Sequence, residues 1–161
     1  MGDFEILTLS DSKKWNHYLE QLPVEQQDIY YTPEYYRLYE DLNDGKAGCF
    51  IFQKGSDLAL YPFLINSVNE LGFDLDTEYY DLQGAYGYNG IVSSSYDPNF
   101  INEFYKRFNS FCLEKNIICE FSRFHPVIEN HLFSNDHMDV AYNRKTIYLE
   151  INGEFDDIWR Q

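Results

Sequence analysis

Basic residues are scarce in this sequence: 12 Lys and Arg stand against 27 Asp and Glu, a formal net charge of −15. Phosphate backbones repel such a chain at long range, so nucleic-acid binding would need a local basic patch. No patch is visible, since residues 1–80 carry 15 acids and 5 bases and residues 81–161 carry 12 and 7. Neither half is a basic arm or an acidic tail, and no nucleic-acid partner is expected for this chain. Long apolar runs are missing too. The longest, Leu58 to Ile65, is interrupted by Pro62 and falls far short of the roughly 20 residues a membrane helix needs. The start, Met1-Gly2-Asp3-Phe4-Glu5, is acidic and leads only into Ile6-Leu7-Thr8-Leu9, unlike a secretory signal. Ile6 also stands where a myristoylation motif requires Ser or Thr. A cytoplasmic protein without a transmembrane segment is therefore expected. Cysteines are few, and Cys49, Cys112 and Cys119 lie in apolar segments without C-x-x-C spacing. They are expected to be reduced core residues.

What is abundant is aromatic. Fifteen Tyr, 13 Phe and 2 Trp make up 19% of the 161 residues, and 44% of the chain is hydrophobic. That is enough apolar material for one packed domain and excludes intrinsic disorder.

The pattern of these residues predicts an α+β fold. Phe4 to Leu9 alternates as a short strand. Ser10-Asp11 then offers a helix cap before Trp15, Tyr18, Leu19 and Leu22, one helical face that stops at Pro23. Thr32-Pro33-Glu34 supplies a second cap, an N1 proline and a first-turn acid ahead of Tyr35, Leu38, Tyr39 and Leu42. The period then changes. Cys49 to Gln53 and Leu58 to Val68 are strand-like and separated by the turn signal Lys54-Gly55-Ser56-Asp57. Pro62 implies an edge or a bulge. Tyr79 to Gln83 reads as a third strand, Asp97-Pro98 as the cap of a helix carrying Phe100, Ile101, Phe104, Phe108, Phe111 and Cys112, and Ile117 to Phe124 as a buried strand. A short helix over Val127 to Phe133 and a strand over Val140 to Ile151 are expected to follow, and Glu154 to Gln161 to open another helix. The whole makes a mixed, mostly antiparallel sheet flanked by helices. A closing amphipathic helix with Trp159 on its apolar side needs something to pack against, which points to a longer polypeptide.

Two segments carry candidate chemistry. Gly84-Ala85-Tyr86-Gly87-Tyr88-Asn89-Gly90 places three glycines and two tyrosines in seven residues, so backbone can approach a ligand closely. It does not open directly into a helix, as a phosphate cradle must, because Ile91-Val92 and a serine run intervene. It is either a tight turn or a substrate-contacting loop. Phe121-Ser122-Arg123-Phe124-His125-Pro126 places a cation and an imidazole at a strand end. Arg123 suits a phosphate or carboxylate, or else pairs with one of the many acids, and His125 could cap the next helix. The spacing of six between His125, His131 and His137 fits no zinc pattern, so no metal is expected. There is no G-x-S-x-G, and no cysteine lies in an electropositive stretch. Tyr30-Tyr31, Tyr35-Tyr36 and Tyr79-Tyr80 most simply line a core edge, although tyrosine faces also stack on sugars.

Taken in order, Tyr61-Pro62-Phe63, Asp81 leading to Tyr86-Gly87-Tyr88-Asn89-Gly90, Arg123-Phe124-His125-Pro126 and the closing Phe155 to Trp159 segment form a pattern. It resembles the N-terminal half of Fem-type acyl and aminoacyltransferases, which are built from two halves of the GNAT acetyltransferase fold. The aromatic-glycine stretch of that family reads Y-G-Y-G-G-P, whereas here Asn89 replaces the second small residue and Ile91 the proline. The resemblance implies a GNAT-like domain over residues 1–153, with residues 154–161 beginning a helix toward a second GNAT-like half outside this chain. It implies transfer of an acyl or aminoacyl group to an amine on a cell-wall or polysaccharide precursor, with this half silent on its own and no cofactor of its own. The donor would be acyl-CoA, another acyl thioester or aminoacyl-tRNA. Tyr86, Tyr88, Asn89, Arg123 and His125 would line the acceptor side or support the interface between halves, and His125 is the nearby candidate for the base that such a transfer needs. A different class of function is a non-enzymatic domain that binds a glycan or a partner protein through exposed aromatics.

Overall fold

A computed structural model describes residues 2–148. The described residues form an α+β domain, with a mixed, mostly antiparallel six-stranded sheet flanked by three α-helices. Strand β1 (Asp3–Thr8) leads to helix α1 (Ser12–Leu19) and helix α2 (Pro33–Asp41). Strands β2 (Lys46–Lys54), β3 (Asp57–Ser67), β4 (Tyr80–Gln83) and β5 (Val92–Ser93) follow, then helix α3 (Pro98–Glu114) and strand β6 (Ile117–Phe121). The sheet order is β1-β2-β3-β4-β6, with β5 also on β3.

The local signals act as their chemistry dictates. Thr32 accepts the backbone N–H of Tyr35 and Asp97 that of Asn99, each with proline at the start of the helix, so orphan amides of α2 and α3 are satisfied. The β2–β3 hairpin closes through Gly55-Ser56, with Gly55 at φ +63° and Lys54 opposite Asp57. Both central strands bury both faces, which is why they read as continuous apolar runs. Phe50, Phe52, Ala59, Tyr61 and Phe63 meet Phe100, Phe104, Phe108 and Phe111 of α3. Cys49, Ile51, Leu58, Leu60 and Leu64 meet Trp15 and Leu19 of α1 and Tyr36 of α2. The Trp15 indole N–H is satisfied by the Tyr31 carbonyl at 2.9 Å.

Pro62 is neither on an edge strand nor at a bulge: β3 is interior, flanked by β2 along its whole length. On its other side β5 pairs with Ala59 and Leu60, and β4 with Leu64 to Ser67. The proline falls in the gap between them, where no described strand requires its missing N–H, and its carbonyl faces the Tyr36 hydroxyl at 3.2 Å.

Four other expectations need correction. The strand after α3 ends at Phe121 and is half exposed, with Ile118 and Phe121 open to solvent, because β6 ends the sheet order among the described residues. Cys119 on that strand is exposed and Cys112 half-buried, so of the three free cysteines only Cys49 is a core residue. The helix expected over Val127 to Phe133 is a single 3-10 turn, Asn130–Phe133. Val140 to Tyr148 forms no strand, since its apolar alternation meets no partner strand or core face among the described residues, and Ile147 is 96% exposed. The rest of that expected strand and the Glu154 to Gln161 helix lie outside the described residues. No described helix is long and apolar enough to cross a membrane.

Candidate functional site

Strands β4 and β5 run in the same direction along β3, but nine steps from Gln83 to Val92 match only four from Leu64 to Leu60. The surplus residues leave the sheet as the Gly84–Ile91 excursion. Two glycines let it fold tightly. A Cβ on Gly84 would enter the side chain of Asn89, and Gly87, at φ +114°, lies against the Tyr30 ring where a Cβ has no space.

Strand β6 runs parallel to β4, and the two separate beyond Gln83 and Phe121. They meet again at one bridge between Asn89 and Phe124, where the Asn89 N–H donates to the Arg123 carbonyl at 2.7 Å. Between separation and bridge lies a cleft of about 210 Å³, lined by the glycine loop, Asn89, Phe121 and Arg123, with Asp44 and Gln83 on its wall. The carboxyl ends of neighbouring parallel strands are where α/β sheets place ligands, because the chains there diverge and leave a crevice.

Three of the five expected site residues meet in this cleft. Tyr86 is 74% exposed, and the Arg123 guanidinium lies over its ring at 6.0 Å. Arg123 makes no ion pair among the described residues despite the acidic composition. Asn89 is buried: its carbonyl accepts from Asn130 and its Oδ1 lies 3.2 Å from the Tyr36 hydroxyl. Its Nδ2 has no hydrogen-bond partner among the described residues. That is an orphaned buried donor on a residue that lines the cleft.

Tyr88 and His125 sit elsewhere. Their rings pack on each other at 4.8 Å, and Tyr30 abuts Tyr88 at 5.3 Å. His125 is buried and its Nδ1 accepts the backbone N–H groups of Val127 and Ile128, both at 3.2 Å, as a cap for the turn that follows. Its Nε2 faces Asp28 at 3.6 Å. Burial lowers its pKa and outweighs the opposing pull of Asp28, so the imidazole is neutral, with its proton on Nε2. Both nitrogens are thus engaged within the fold.

Comparison with protein-family models, curated proteins and solved structures returns no match.

The site also depends on residues without a local sequence signal. Asn130, fully buried, offers its Nδ2 to the carbonyls of Asn89 and Ile91 and to the Tyr31 hydroxyl, while its Oδ1 accepts the His125 N–H. It ties the glycine loop to the end of β6. Gln83 donates to the Asp44 carbonyl at 3.1 Å and brings that acidic turn to the cleft. Tyr35 donates to the Tyr86 carbonyl at 2.6 Å, and burial raises its phenol so that it remains a donor. Tyr30, Tyr35 and Tyr39 form an aromatic wall beside the loop, with ring centroids 5.2 and 5.3 Å apart. Among the described residues no group of three or more His, Cys, Asp or Glu is placed to hold a metal ion.

Proposed function

We propose that this domain is the acceptor-binding, GNAT-like half of an acyl or aminoacyltransferase of the Fem type, which acts on an amine of a cell-wall or polysaccharide precursor. The observation that carries the reading is the cleft at the carboxyl ends of the parallel pair β4 and β6, where Tyr86 and Asn89 of the aromatic-glycine loop meet Arg123, which has no ion-pair partner among the described residues. The mixed sheet, and its opening beside Pro62 in the Tyr61-Pro62-Phe63 strand, are compatible with a GNAT-like half.

Amine transfer needs a group to take a proton and donors for the developing oxyanion. His125 is poorly suited to take the proton, because Nδ1 is occupied by two amides and Nε2 carries its proton toward Asp28. In this reading the domain binds and orients the acceptor, and the proton acceptor and the acyl-CoA, other thioester or aminoacyl-tRNA donor belong to a second GNAT-like half. The cleft is smaller than the ~300–1,000 Å³ of sites that enclose drug-sized ligands, so it seats one end of an acceptor rather than a coenzyme.

The test is saturation-transfer NMR with amine-bearing nucleotide-sugar and muramyl-peptide precursors, comparing the unmodified chain with Arg123→Ala and Tyr86→Ala. Binding weakened about tenfold or more by Arg123→Ala is expected, since a charge-assisted hydrogen bond contributes roughly 1.5–3 kcal/mol. Equal binding by all three proteins would refute the assignment. A second reading, a non-enzymatic glycan- or protein-binding domain, is favoured by one observation: the Tyr30, Tyr35 and Tyr39 wall beside the exposed Tyr86. It predicts that a neutral glycan without an amine binds as tightly as an amine-bearing one.

A further inference from the structure

The polar groups of the cleft define a ligand more narrowly than the fold does. Asn89 is 1% exposed, yet its Nδ2 finds no acceptor among the described residues. Leaving such a donor buried costs on the order of 1–3 kcal/mol, unless an acceptor arrives. On the β6 wall the Arg123 guanidinium is held by the Tyr86 ring and is free of acidic partners among the described residues. A planar guanidinium suits the two oxygens of a carboxylate, and Asn89 lines the same cleft.

Asp44 limits the choice. Its exposed side chain borders the same cleft, so the lining carries one cation and one anion. Phosphate, with a charge of roughly −1.5 to −2 at pH 7, would meet Asp44 as well as a chain of net charge −15. A carboxylate brings one negative charge, and a ligand that also carries an ammonium would turn Asp44 from a repulsive neighbour into a partner.

We propose that the cleft recognises a small amino-carboxylate, with its carboxylate on Asn89 Nδ2 and the Arg123 guanidinium and its ammonium toward Asp44. This rests on reading the cleft as the acceptor site and identifies the acceptor end it holds: an amino-acid-like terminus rather than a phosphate or a bare sugar.

The experiment follows the side-chain amide of Asn89 and the Nε–H of Arg123 by 15N NMR while the whole chain is titrated with alanine, acetate, ethylamine and inorganic phosphate. Alanine is expected to shift both resonances saturably, with acetate several-fold weaker and phosphate weaker still. Arg123→Ala should weaken alanine about tenfold or more. Asp44→Asn should remove the preference for alanine over acetate, with acetate binding at least as tightly as before because a like charge has been removed. Both substituted side chains are exposed, so folding is not at stake. The proposal is overturned if no probe moves the Asn89 amide, if phosphate binds at least as well as alanine, or if Arg123→Ala changes nothing. Alanine binding by a protein that transfers no acyl group when joined to its second half would sink the transferase reading alone. Transfer to amines without any carboxylate preference would sink this one alone.

Discussion

Asn130 is the residue on which the site's geometry depends most, and its removal gives the sharpest stability prediction. Its side chain serves four buried groups: the Tyr31 hydroxyl, the carbonyls of Asn89 and Ile91, and the backbone N–H of His125. Asn130→Ala leaves all four without it. The two amide protons are shared among three acceptors, so three full hydrogen bonds are lost, and at about 1 kcal/mol each, the low end for an unsatisfied buried group, the loss is about 3 kcal/mol. That is a large share of the ~5–15 kcal/mol that holds a typical domain together. Tyr31→Phe removes only one of the four partners and should cost about 1 kcal/mol. Urea unfolding followed by tryptophan fluorescence reads both, since Trp15 is buried against Tyr36. An Asn130→Ala variant no less stable than Tyr31→Phe would show that the Asn130 network does not hold the loop, and would refute the reasoning.

Further predictions concern packing, pH and thiols. Gly84→Ala should destabilise by about 1–3 kcal/mol, because the new methyl must displace Asn89 in a packed site; thermal unfolding checks it, and an unchanged midpoint would contradict it. The lowered pKa of His125 means that the unfolded chain takes up a proton near pH 6.5 while the folded one does not. Stability should therefore fall as pH drops below about 6.5, and part of that slope should vanish in His125→Gln. His137 is also lowered by burial, so the difference between the two proteins isolates His125. Glu120 behaves oppositely. Burial beside Tyr61 raises its pKa, so ionisation weakens the fold as pH rises, and Glu120→Gln should gain on the parent more at pH 8 than at pH 4. Thiol titration of the native protein should find Cys119 reactive, Cys112 slow because burial lifts its thiol to about 12, and Cys49 silent until unfolding.

Features encoded within a few residues were legible in the sequence. The Thr32-Pro33 and Asp97-Pro98 caps, the α3 phenylalanine stripe and the Gly55-Ser56 turn are satisfied by neighbours along the chain, and they appear where their pattern places them. Features that depend on a distant partner were not. Cys119 and Phe121 look like core residues because apolar runs do not reveal that β6 ends the sheet order among the described residues. Pro62 reads as an edge signal, because nothing local shows that β4 and β5 leave a gap opposite it. Residues of the site divide in the same way. Tyr86, Asn89 and Arg123 stood out through the glycine spacing and the strand end, and they do converge. Asp44 and Asn130 are separated from the loop by about forty residues and carry no motif, so only the folded chain brings them there. Tyr88 and His125 share the motif but face into the packing with Tyr30.

The central claim is that ligand recognition resides between the carboxyl ends of β4 and β6, and backbone amide shift mapping over the whole chain with an amine-bearing glycan precursor tests it most directly. The account predicts perturbations confined to Gln83–Asn89, Phe121–Arg123 and the turn at Asp44. Shifts gathered instead on the outer face of α3, around the concavity at Asn102, Lys106 and Arg107, with none in the cleft, would contradict it.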